Sequence, residues 1–211
     1  MRTDSSGRRN ELPTSSAPPE PPEQQISMAQ HGLPAGTSAG VLLMISTVAL
    51  GLTAGLLFTF GMAVMPGLAE TDDHTYVTAM QSFNDTIQSN WAFAVLFVGV
   101  LPATVAAAVL DHRSGHGAAA RWAAYTAVLY LVALLVTVGF NIPMNNDLAA
   151  AGDPSTMTDF AIVDRFKTTW VAANALRAVL CAAALGCLTR ALVLHGRSTA
   201  VAAGARPSST S

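Results

Sequence analysis

Charge is what this sequence has least of. Of its 211 residues only 11% are Asp, Glu, Lys or Arg, against about 25% in an ordinary soluble domain, while 51% are hydrophobic. Such a chain cannot cover a water-facing surface. The net charge of −2 comes with no basic cluster, which excludes nucleic-acid binding through phosphate neutralisation. Cysteine is nearly absent as well. Cys181 and Cys187 lie six residues apart, about 240° from each other around a helix, so they form neither a CxxC motif nor a disulfide and read as inert thiols. No Walker A, dinucleotide-binding glycine pattern or Ser/Cys–His pairing occurs.

What fills the chain instead is a set of long uncharged runs. They extend from Gln24 to Ala69, from Thr86 to Leu110, from Trp122 to Asn146, and from Thr168 up to Arg190 with Arg177 as the interruption. A bilayer core of about 30 Å needs ~20 apolar residues at 1.5 Å rise each. The expected fold class is therefore all-α, a polytopic four-transmembrane-helix bundle with spans at about 39–62, 91–110, 122–141 and 169–192. These spans hold no Asp, Glu or His, which argues against a haem or a metal in the bundle core. Residues 1–36 are rich in Ser, Pro, Gln and Glu and read as a disordered tail. The transmembrane domain is assigned to 37–196, and 197–211 to a second disordered tail.

Arginine distribution orients the chain. Arg2, Arg8 and Arg9 precede the first span, Arg113 and Arg121 follow the second, and Arg190, Arg197 and Arg206 end the chain. The long loop after the first span has no Lys or Arg. Both termini are thus expected in the cytoplasm of a multi-pass cell-membrane protein, with two long loops outside. In the first loop Tyr76, Met80, Phe83, Ile87 and Trp91 recur at helical spacing, with Gln81, Asn84 and Gln88 turned elsewhere. This predicts an amphipathic helix on the outer surface. A second helix is expected from about Thr156 into the fourth span. Pro66 and Pro143 are read as ending the first and third spans, and Gly51 and Gly55 as a small-residue contact.

Arg177 is the most informative residue. An arginine near the bilayer centre costs at least ~2.5–3.5 kcal/mol, and Trp170 and Asn174 share its helix face. The nearest carboxylates are rim residues, Glu70, Asp85 or Asp147. Two roles are open to Arg177: a structural cation satisfied by carbonyls and amides, or a cation poised to receive an anion. Asn141, Asn145 and Asn146 in GFNIPMNNDL divide the same way, as caps of carbonyls freed by Pro143 or as the polar wall of a pocket. The TDDH run at His74 and the DHRSGH run with His112 and His116 lack metal-ligand spacing and read as solvated loops.

The ordered segments FTFGMAVMPGL, MQSFNDTIQSNW, GFNIPMNNDL and TTWVAANALRAVL resemble the anthrone oxygenase-like family of small four-helix membrane proteins, over roughly residues 40–195. The resemblance implies use of O2 to convert an anthrone to an anthraquinone in polyketide pathways, with no metal or organic cofactor. On that basis Arg177, Asn174 and Asn145 are the candidate catalytic residues. Asn141, Asn146, Trp170, Asn84 and Trp91 are the candidate substrate contacts, and the lipid bilayer and a hydrophobic small molecule are the expected partners. Tyr76, Phe83, Trp91 or Trp170 would stack on a flat ring. No general base is evident beyond Asp147, Glu70 and His74, which qualify by position only. The competing class is a non-enzymatic membrane protein that binds a lipid or small molecule, or an accessory subunit.

Overall fold

The computed structural model describes residues 35–204, so the tail expected at 1–36 and the last residues fall largely outside it. Among the described residues the secondary structure is helical throughout, and four helices are long and apolar enough to cross a membrane: Thr37–Ala69, Trp91–Arg113, Gly117–Ala150 and Ala161–Ala202. They pack as a ring in which the first span lies against the second and fourth, and the third against the same two. The lipid-facing side is apolar as well, with Met44, Val48, Phe58, Met62, Val98 and Val179 all exposed.

The core has two apolar layers. One contains Leu43, Leu50 and Leu57 of the first span with Val100, Tyr130, Cys181 and Leu188. The other contains Met65, Met144, Leu148, Phe166 and Trp170, with Tyr76, Val77 and Met80 from a connecting helix, Asp73–Ser89. Each of the three spans that contribute to the second layer passes through one wide turn beside or within it.

Those wide turns are π-helical: Phe60–Val64, Thr137–Asn141 and Phe166–Trp170. The backbone N–H of Met65 bonds to the Phe60 carbonyl, that of Ile142 to Thr137, and that of Val171 to Phe166. In the first two cases a proline follows at once. Pro66 and Pro143 therefore do not end their spans, as their sequence position suggested. A proline inside an α-helix clashes with the carbonyl four residues back, and a π turn relieves this by moving that carbonyl aside. The helices continue to Ala69 and Ala150.

Other expectations also change. The connecting helix is present, capped by Asp72, whose carboxylate accepts from the Thr75 backbone N–H at 2.9 Å and is held below the usual carboxylate range by that bond. Its buried face is Tyr76, Val77, Met80 and Asn84 rather than one ending at Trp91. Asn90 breaks the helix with an extended ψ of 99° and caps the second span through Ala92 and Phe93, which leaves Trp91 77% exposed. Gln81 turns inward and donates to the carbonyls of Leu148 and Gly152 at the end of the third span. The fourth span starts at Ala161, not near Thr156, where only a 3₁₀ turn forms, and its last helix runs on to Gly204, past the assigned boundary at 196. Gly51 and Gly55 face open space; the close approaches are instead at Gly61, beside Asn174, and Gly40, beside His195.

Two predictions follow from this packing. Leu188→Ala, at a fully buried position, is expected to lower stability in detergent by roughly 2–4 kcal/mol, whereas Val179→Ala on the exposed face of the same helix should be near neutral; thermal unfolding compares them. Tyr76 is buried and its hydroxyl has no partner among the described residues, and burial pushes its phenol pKa up to about 12 from 10.0. Because the folded value is raised, the stability it contributes is full below pH 10 and is lost as pH rises through 12. Tyr76→Phe should remove that alkaline slope without lowering stability at neutral pH.

Candidate functional site

Beside the π turns lies a half-open cavity of about 310 Å³ lined by residues from all four spans and the connecting helix. Its wall is mostly apolar: Leu56, Leu57, Phe60, Ile87, Phe93, Ala94, Phe97, Val98, Ile142 and Trp170. Polar groups enter as carboxamides, from Asn84, Gln88, Asn141, Asn145 and Asn174, together with Thr137 and Arg177. Among the described residues no Asp, Glu, His or Lys lines it.

Arg177 is 6% exposed and has no carboxylate within ion-pair distance among the described residues. Its Nη2 donates to Asn174 Oδ1 at 2.9 Å and its Nη1 to Thr137 Oγ1 at 3.2 Å, while Nε has no partner. The guanidinium also lies 5.9 Å from the centre of the Trp170 ring, within the range of a cation–π contact. Asn174 completes the link to the first span by donating Nδ2 to the Leu57 carbonyl at 3.0 Å. The helix face that joins Trp170, Asn174 and Arg177 in sequence is thus the face turned to the cavity.

The asparagines of the third span divide between the two roles open to them. Asn141 donates to the Trp170 carbonyl at 3.4 Å across two π turns, a bridging contact that leaves its buried Oδ1 without a partner. Asn145 accepts from the Trp170 indole N–H at 2.8 Å and so fixes the ring against the cavity. Asn146 is exposed and lies away from the cavity, because the helix that continues through Pro143 turns adjacent residues about 100° apart.

Of the proposed catalytic residues, Arg177, Asn174 and Asn145 all line the cavity, as do Asn141, Trp170 and Asn84. Asn146 and Trp91 do not. Trp91 lies on a separate apolar groove with Ile45, Ala49 and Val95. The rim carboxylates stay apart from Arg177: Asp147 is 3.9 Å from Arg165, and Glu70 and Asp85 are exposed. His74, Glu70 and Asp147, the positional candidates for a base, are outside the lining. Tyr76 is buried in the neighbouring layer, and Phe83 reaches the site only through an edge contact with Phe60. Sequence reasoning missed Phe60, Phe97, Thr137 and Gln88. Phe60 and Thr137 stand at the starts of π turns, which leave no mark in composition.

Asn174→Ala removes an acceptor from a buried cation and a donor from a buried carbonyl. It is expected to reduce stability by roughly 2–4 kcal/mol, clearly more than Asn146→Ala at its exposed position; denaturant unfolding of the two variants in one detergent checks the order.

The family model described as anthrone oxygenase matches residues 88–187, a stretch that includes Asn141, Asn145, Trp170, Asn174 and Arg177 but not the first span. No curated protein and no solved structure matches the chain.

Proposed function

We propose, from the match of the anthrone oxygenase family model to residues 88–187, that the cavity takes a flat, lipophilic anthrone-type ketone and promotes its oxidation by O2. The observation that carries this reading is Arg177: a buried cation without a carboxylate partner among the described residues, in a mostly apolar cavity whose other polar groups are neutral. Such a cation favours the anionic form of whatever binds beside it.

An anthrone has a CH₂ group between two aryl rings, opposite its carbonyl. Loss of one CH₂ proton gives an enolate with its charge largely on the former carbonyl oxygen. Arg177 and the carboxamides supply donors for that oxygen, while Trp170, Phe60 and Phe97 provide aromatic surface for the rings. The enolate passes one electron to O2, and the radical pair combines to form a carbon–oxygen bond. Loss of the second CH₂ proton with cleavage of the O–O bond leaves a new carbonyl and one water. One substrate and one O2 thus give one quinone and one water. With no carboxylate or histidine in the lining, the first proton leaves to water, driven by the stabilisation of the enolate at Arg177.

By arginine distribution the cavity lies toward the outer half of a cell membrane with both termini cytoplasmic, reachable by a substrate dissolved in the bilayer. The test is O2 uptake by the purified protein with anthrone. Arg177→Ala should lower kcat/KM by about 100-fold or more, Arg177→Lys should not restore it fully because a point charge lacks the planar fork, and Val179→Ala should match the parent. Uptake unchanged in a folded Arg177→Ala would remove the site. Saturable anthrone binding without uptake above the spontaneous rate would instead favour a non-enzymatic binder.

A further inference from the structure

At the opposite end of the bundle the same fold buries a second polar group, this time a carboxyl. Asp111, near the end of the second span, is fully buried. Its Oδ1 lies 2.6 Å from His195 Nδ1 and 3.2 Å from His116 Nδ1, and its Oδ2 has no hydrogen-bond partner among the described residues. His195 comes from the fourth span and is 6% exposed. His116 is the residue at the start of the third span, delivered by the turn at Gly115 with φ +80°. The first span makes room for this arrangement, because a side chain at Gly40 would begin 3.0 Å from His195 Nε2.

We propose that Asp111, His116 and His195 form a binding site for one divalent transition-metal ion. One donor atom from each residue lies within 4.8 Å of the other two, so a small movement of the side chains around a common centre suffices for coordination. Two imidazoles and a carboxylate suit Zn²⁺, Fe²⁺ or Co²⁺ better than Mg²⁺ or Ca²⁺, which prefer all-oxygen sets. The ion sits where the two imidazole Nδ1 atoms and Asp111 Oδ1 already converge. Each Nδ1 then presents its lone pair, and the ring proton sits on Nε2. A buried carboxylate with one oxygen unpartnered is costly, and a divalent cation compensates it directly. Three protein ligands leave at least one position for water.

Arg177 and His195 are eighteen residues apart on one helix, about 27 Å at 1.5 Å per residue. The ion therefore does not touch a substrate in the cavity, and this proposal holds whether or not the protein oxidises an anthrone. Its effect is to fasten the second and third spans, joined at this end by a short turn, to the fourth.

The test uses the full chain with an affinity tag that contains no histidine, stripped with EDTA in detergent and then titrated with Co²⁺. The expected result is one saturable equivalent with visible d–d bands, displaced by Zn²⁺ and accompanied by a higher thermal midpoint. His116→Gln and His195→Gln should each weaken binding by about 100-fold or more, whereas His112→Gln, at an exposed position, should not. X-ray absorption on the Zn²⁺-loaded parent should show imidazole scattering with nitrogen and oxygen at about 2.0–2.1 Å, which reads the ligand set even if a histidine variant fails to fold. No saturable binding by the parent, a first shell without imidazole, or full binding by folded His116→Gln and His195→Gln would each overturn the proposal.

Discussion

The site depends on how a guanidinium is kept in a membrane bundle without a counter-ion. Arg177 lies between two apolar layers, and its neighbours Asn174, Thr137 and Trp170 offer dipoles and a π face but no negative charge. Neutral donors and acceptors compensate part of the desolvation of a cation and leave its field intact. Carboxamides of the third and fourth spans hold the Trp170 residue, the Leu57 carbonyl and the guanidinium in place, so the positive potential is held at one place. The structural and functional roles considered for these residues are therefore not exclusive. The same bonds that keep the arginine buried also keep it unneutralised.

The fourth span carries this cation at one level and His195 at another. Around Arg177 the partners are amides; around Asp111 they are imidazoles. Both are polar islands in a helix packing that is otherwise apolar, and both draw residues from several spans. In lipid the attraction between helices comes from packing and from such polar contacts rather than from exclusion of water. Two islands far apart along the bundle fix its register more firmly than either would alone.

Much of this was legible in the sequence. Uncharged runs marked the four spans, and the spacing of Trp170, Asn174 and Arg177 placed them on one face, because a straight α-helix maps sequence to direction. Legibility failed where that mapping changes. A π turn adds a residue to one turn and leaves no compositional trace, so Pro66 and Pro143 read as stops. Trp91 seemed to extend an apolar stripe that Asn90 in fact interrupts. Asp111 and His195 were hidden by trimming the spans to the bilayer minimum, since both lie just beyond the expected limits yet inside continuous buried helices.

The three π turns have a consequence for how such a protein can vary. A cavity formed by small side chains can be closed by enlarging one of them. Here the space lies beside three wide turns, which give Phe60, Thr137, Asn141 and Trp170 to its wall. Its natural unit of change is therefore insertion or deletion rather than substitution. Loss of one residue within 137–141 would turn everything from Pro143 to Ala150 by about 100°, taking Asn145 off the indole of Trp170 and uncoupling the third span from the connecting helix at Leu148. Descendants of this fold can then exchange wall residues freely to suit different ligands, while the number of residues in each wide turn stays fixed.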